Sequence, residues 1–172
     1  AGRPAAAQAL IGFGNPVFGQ GPLAARTAPG TMTVASNSDR SGVEQIKTRG
    51  YSSYWRGPAA DLEALRRDLP PLPETEAELK TVADGLDREH ATLMLGAAAT
   101  ETAVKSADLD RYRIVYFATH GLVAGEVRGL GEPALALTLP ETLSDVDDGL
   151  LTASEVAQLR LDADWVVLSA CN

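Results

Sequence analysis

Two apolar runs dominate the pattern of hydrophobic and polar positions along this chain. They are Arg113-Ile114-Val115-Tyr116-Phe117-Ala118-Thr119-His120-Gly121 and Asp164-Trp165-Val166-Val167-Leu168-Ser169-Ala170-Cys171-Asn172. Neither alternates with period two, so each predicts a strand buried on both faces, as in a parallel sheet. Each run also ends in a polar residue able to do chemistry, His120 in the first and Cys171 in the second. In open parallel sheets the active site lies at the carboxyl edge of the strands. If the two strands are parallel neighbours, an imidazole and a thiol meet at that edge.

The remaining pattern supplies the framework. Residues from Ala7 to Pro16 predict a short buried strand that runs into a turn, punctuated by Gly12, Gly14 and Asn15-Pro16. Residues 19–58 are rich in Gly, Ser, Thr and Pro without sustained periodicity, and predict a long variable loop or insertion, anchored by Tyr51, Tyr54 and Trp55 or offering them to a partner. Asp61 to Asp68 is weakly helical, and Pro70-Pro71-Leu72-Pro73 is a stiff connector. Thr75 and Glu78 have capping-box spacing, so a helix is expected from Thr75, with Ala77, Leu79, Val82, Ala83 and Leu86 supplying most of an apolar face.

Beyond it, Ala91 to Leu95 predicts a strand, and Thr100 an N-cap for a short helix reaching Ser106. Ala134 to Leu139 predicts a strand, residues 144–149 an acidic turn, and Thr152-x-x-Glu155 a second capping box opening a helix to about Leu159. That helix supplies a crossover into the last strand, at whose start Trp165 is expected to pack. Strands alternating with helices predict an α/β fold, a mostly parallel sheet flanked by helices on both faces.

Composition narrows the function without naming it. A chain of 172 residues with 45% hydrophobic and 22% charged residues is enough for one domain with a sizeable core. A net charge of −8 argues against nucleic-acid binding, which needs a basic stripe. No segment is long and apolar enough to span a membrane. The single cysteine excludes an internal disulfide and a cysteine-rich zinc site, and suits a reducing, cytoplasmic compartment.

The chemistry therefore rests on Cys171 and His120. A free thiol is mostly protonated at neutral pH and needs a base within hydrogen-bond reach, most often histidine. The N–H groups of Gly121 and Cys171 could hold the oxyanion of a tetrahedral intermediate. The bland readings are an inert core cysteine and a hydrogen-bonded surface histidine. Elsewhere, Gly12-x-Gly14 lacks the third glycine and the Lys-Ser/Thr of a phosphate-binding loop. Asp145, Asp147 and Asp148 lack EF-hand spacing and read as a solvated turn, and His90 reads as a surface histidine.

Three blocks carry a resemblance: Phe117-Ala118-Thr119-His120-Gly121, Asp147-Asp148-Gly149-Leu150-Leu151-Thr152-Ala153-Ser154-Glu155, and Val167-Leu168-Ser169-Ala170-Cys171-Asn172. With Ile11-Gly12-Phe13-Gly14-Asn15-Pro16-Val17-Phe18 they resemble the CHAT domain, a caspase-like domain often attached to tetratricopeptide repeats in bacteria. The resemblance covers most of the chain outside 19–58. It implies a caspase-like fold with His120 and Cys171 as a catalytic dyad, a peptide or protein substrate, tetratricopeptide repeats in the same parent protein, and no cofactor or metal. The function it implies is a cysteine endopeptidase, the alternative being a catalytically silent caspase-like regulatory or protein-interaction module. Relatives specific for arginine or lysine often carry an acidic residue two positions before the nucleophile. Ser169 stands there, which leaves the cleaved residue open. A caspase-like domain is also expected to continue beyond its cysteine, so 1–172 reads as an incomplete domain whose distal part follows Asn172.

Overall fold

The computed structural model describes residues 8–19, 65–67, 69–123, 132–142, 144 and 146–171. The variable stretch expected over 19–58 lies outside them except for Gly19, and of Asp61 to Asp68 only 65–67 are described, as helix. The described residues form an α/β unit around a mixed sheet of six strands. In chain order these are β1 (Gln8–Gly14), β2 (Ala91–Leu95), β3 (Tyr112–Leu122), β4 (Ala134–Ala136), β5 (Leu150–Thr152) and β6 (Trp165–Cys171). The helices are α1 (Pro73–Leu86), α2 (Glu101–Ser106) and α3 (Ala153–Val156).

β3 organises the sheet. One of its edges pairs in parallel with β1, from Gln8 opposite Tyr112 to Gly14 opposite Ala118. The other pairs in parallel with β6, from Trp165 opposite Ile114 to Cys171 opposite His120. β3 outruns β1 by four residues, and there β4 pairs antiparallel, with Ala136 opposite His120. Because His120 has Cys171 on one side, β4 lies on the β1 side. β5 joins β4 antiparallel, and β2 joins β1 in parallel.

Strand alternation divides the core into two clusters. Ile11, Phe13, Val115 and Phe117 point to one face with Val104 of α2, and the Phe13 and Phe117 rings stack at 5.3 Å. Gly12 and Gly14 point to the other face, where α1 lies close. A Cβ on Gly12 would stand 2.7 Å from Leu79, and one on Gly14 2.6 Å from it. Close helix approach, rather than a phosphate, accounts for this glycine pair. Further along that face Phe18, Leu65, Leu69, Leu122, Ala136 and Leu150 pack together.

Four expectations need correction. α1 begins at Pro73, not Thr75, and no side chain caps it. Proline is preorganised for the first helical position, and the Thr75 hydroxyl is engaged elsewhere: it donates to Leu72 O and accepts from Asn15 N–H. Glu78 is likewise used by the Tyr116 hydroxyl instead of a capping box.

The strand expected over Ala134 to Leu139 stops at Ala136 and runs antiparallel. Beyond it, Leu137 N–H bonds Gly149 O and Leu139 N–H bonds Val17 O, so loops satisfy this backbone. The helix expected to about Leu159 ends at Val156, although its Thr152–Glu155 capping box is formed. Finally, β6 is not buried on both faces. Trp165 is 68%, Leu168 60% and Val166 48% exposed, and among the described residues only β3 pairs with this strand.

Candidate functional site

His120 sits on β3 where three strands meet, opposite Cys171 of β6 on one side and Ala136 of β4 on the other. The parallel register brings the Cys171 backbone beside that of His120 at the carboxyl edge of the sheet. Two apolar strands flank the site, so its two chemically capable residues are delivered by the most regular part of the fold.

The imidazole of His120 is buried, 9% exposed. Its Nε2 lies 2.8 Å from the carbonyl oxygen of Pro70. A carbonyl can only accept, so Nε2 carries the proton in the neutral ring and Nδ1 is the nitrogen with a free lone pair. Phe18 meets the same ring at 5.4 Å between centroids, tilted by 44°. Pro70 comes from the connector before α1, held by the bond from Leu69 N–H to Leu65 O and by the burial of Leu65 and Leu69.

Around this pair the sheet is finished with polar contacts. The Thr119 hydroxyl donates to Ala136 O and ties β3 to β4. The Tyr116 hydroxyl donates to Glu78 of α1. Its ionisation is pushed up, first by the bond to the Glu78 carboxylate and then by burial. Ser169, two positions before Cys171, stands opposite Ala118 of β3.

Gly121 follows His120 with an ordinary backbone; only Gly96 and Gly149 among the described glycines have positive φ. A Cβ on Gly121 would rest 3.5 Å from the Ala170 Cβ, an ordinary contact. The fold does not require glycine there.

The profile of the CHAT domain family matches residues 2–172 of this sequence. The chain belongs to the CHAT domain family. No curated protein and no solved structure gives a significant match. Membership assigns this CHAT domain to a caspase-like family, consistent with its α/β sheet.

Other residues singled out from the sequence serve structure in this CHAT domain. His90 is exposed and pairs with Asp87 at 2.9 Å. Asp147 accepts from the backbone and hydroxyl of Thr102, and Asp148 accepts from Leu150 N–H, so both shape the acidic turn. Asp145, Tyr51, Tyr54 and Trp55 lie outside the described residues. No group of three or more His, Cys, Asp or Glu suited to a metal occurs among the described residues, and no helix there is long and apolar enough to cross a membrane.

Two residues next to His120 escaped the sequence reading, Pro70 and Phe18. Pro70 contributes only a main-chain carbonyl, which leaves no side-chain signature. Phe18 looks like any core aromatic, and only the fold brings it to an imidazole 102 positions away in the chain.

Proposed function

We propose that this CHAT domain is a cysteine endopeptidase that cleaves peptide bonds in protein substrates through a His120–Cys171 dyad. The observation that carries the reading is the register of β3 and β6, in which Cys171 is the direct partner of a histidine whose Nε2 is committed to Pro70. The free nitrogen of that histidine, Nδ1, then accepts the proton of the Cys171 thiol.

The thiolate sulfur attacks the substrate carbonyl carbon. A C–S bond forms, and the carbonyl π pair moves to oxygen, where the N–H groups of Gly121 and Cys171 hold it. Collapse of the intermediate breaks the C–N bond, and the leaving amine takes the proton from His120. Water then attacks the acyl-enzyme with His120 as base, releasing the acid and restoring the thiol. The proposed architecture is the caspase-like one, a mostly parallel sheet with helices on both faces.

The deciding assay is turnover of a peptide library by the intact protein that carries this chain. Cys171→Ala is expected to abolish cleavage. His120→Ala is expected to lower it by roughly 10²–10⁴-fold, the usual contribution of a general base. Undiminished cleavage by Cys171→Ala would overturn the reading. No cleavage by the wild type would favour a silent regulatory or interaction module instead.

A further inference from the structure

The geometry points to Phe18 as a positioning residue that holds the His120 imidazole with Nε2 on Pro70 and leaves Nδ1 as the nitrogen able to take a proton. The inference rests on the dyad reading above.

One hydrogen bond does not fix an imidazole. The bond from Nε2 to Pro70 O pins one ring atom and leaves the ring free to pivot about that contact. A flat neighbour removes the pivot. The Phe18 ring lies 5.4 Å from the imidazole centroid, at an angle of 44°, and so packs against the imidazole as a second contact beside the Pro70 carbonyl. At 4% exposure Phe18 is too deeply buried to meet a substrate, which makes positioning its role at this site.

The segment that carries Phe18 is itself anchored by hydrogen bonds. The Asn15 N–H donates to the Thr75 hydroxyl at 2.8 Å, and its side-chain amide donates to Glu76 at 2.9 Å. Val17 N–H donates to the Thr138 hydroxyl at 3.0 Å, and Val17 O accepts from Leu139 N–H at 3.1 Å. Asn15 adopts a φ of 49°, the left-handed turn that asparagine tolerates better than most residues. Thr138 in turn donates to Gly96 O. The strap Asn15-Pro16-Val17-Phe18 is therefore tied at Asn15 to α1 and at Val17 to the loop that follows β4.

The ring and the connector that bears the carbonyl are also held by one buried cluster. Leu65 and Leu69, which precede Pro70, pack in the same cluster as Phe18. A displaced Phe18 disturbs both contacts of the imidazole together. Filling this cluster needs only apolar volume; restraining an imidazole needs a flat ring. Phe18→Leu separates the two, because it keeps apolar volume and removes the plane.

The test is alkylation of Cys171 by iodoacetamide, which reports the thiolate without requiring a known substrate. The intact protein, Phe18→Leu, Phe18→Met and His120→Ala are compared from pH 5 to 9, reading modification of the Cys171 peptide by mass spectrometry. His120→Ala is expected to lose the fast reaction near neutral pH. Phe18→Leu and Phe18→Met are expected to lose roughly ten- to a hundredfold of it, with an altered pH profile, while remaining folded by thermal melt. Wild-type rates in both Phe18 variants, with His120→Ala impaired, overturn the role of Phe18 and leave the dyad standing. A His120→Ala protein that reacts like the wild type overturns both.

A second measurement covers variants that fail to fold. In the wild type the His120 Nε2 proton should exchange slowly with solvent by NMR. Exchange as fast as in free imidazole refutes the restraint without any substitution.

Discussion

Glu101 and Lys105 form an ion pair of 2.5 Å one helical turn apart, with the Glu101 carboxylate only 1% exposed. The other Glu101 oxygen accepts from the backbone N–H groups of Asp148 and Gly149 at 2.9 and 3.0 Å. Lys105 continues to Glu155 at 2.7 Å and to Val146 O at 2.9 Å. Three separate pieces, α2, the acidic turn and α3, are thus clamped by one buried pair.

This clamp predicts a pH dependence of stability. Burial raises the Glu101 carboxyl to about 7, against the opposing pull of Lys105 and the Asp148 N–H. The folded state therefore binds the Glu101 proton more tightly than the unfolded chain. The contribution of this group is greatest below its unfolded value of 4.5 and is lost as pH rises toward 7. Burial raises Asp148 too, with the same sign. For Glu155, burial is outweighed by the hydrogen bonds of Lys105 and Thr152; its carboxyl is lowered, and its contribution runs oppositely, lost as pH falls below the ordinary carboxylate range. Urea denaturation between pH 4.5 and 8 should show a flatter profile for Glu101→Gln than for the wild type. Parallel profiles would contradict the assignment.

Packing at the glycine pair offers a test of the fold. Gly12→Ala forces a Cβ to 2.7 Å from the Cδ2 of Leu79, which is fully buried and must shift to make way. The expected cost is about 1–3 kcal/mol, the range for an overpacked core. Combining it with Leu79→Ala should give a loss smaller than the sum of the two single losses. Simple additivity in a double-mutant cycle would show that the clash is relieved elsewhere.

Gly121→Ala distinguishes a structural glycine from a functional one. The added Cβ makes an ordinary 3.5 Å contact with Ala170, and stability should change by no more than about 0.5 kcal/mol. If Gly121 backs the oxyanion as proposed, peptide turnover should nonetheless fall. A variant that melts earlier and keeps full turnover would assign the glycine to folding instead.

The exposed strand predicts association. Trp165, Val166 and Leu168 present apolar surface on β6, and Val166 and Leu168 border an apolar groove of about 290 Å³ with Leu135, Leu151, Val156 and Leu161. Unpaired strand edges with apolar faces recruit other chains. Sedimentation of the 172-residue chain should show mass rising with concentration, and Val166→Lys should reduce it. A monomer unaffected by concentration would mean that this surface is covered.

Much of the site was legible in the residues themselves, for a physical reason. An apolar run without period-two alternation reads as a strand, so a polar residue at its end stands out, even though β6 proves exposed at Trp165, Val166 and Leu168. That is why the Arg113–Gly121 and Asp164–Asn172 runs pointed to His120 and Cys171 before any fold was known. Capping is equally local: Thr100 and Thr152 cap the helices they precede, because donor and acceptor lie within one turn.

What tertiary structure decided depends on contacts across long separations. Thr75 and Glu78 have the spacing of a capping box, yet Asn15 and Tyr116 claim them, from 60 and 38 positions away. Gly12-x-Gly14 is a turn signal locally and a seat for Leu79 in the fold. The antiparallel pairing of β4 is set by what β1 leaves free along β3, and periodicity cannot encode that. The orientation of His120 is the clearest case. Its sequence position identifies an imidazole at a strand end; only the Pro70 carbonyl decides which nitrogen carries the proton.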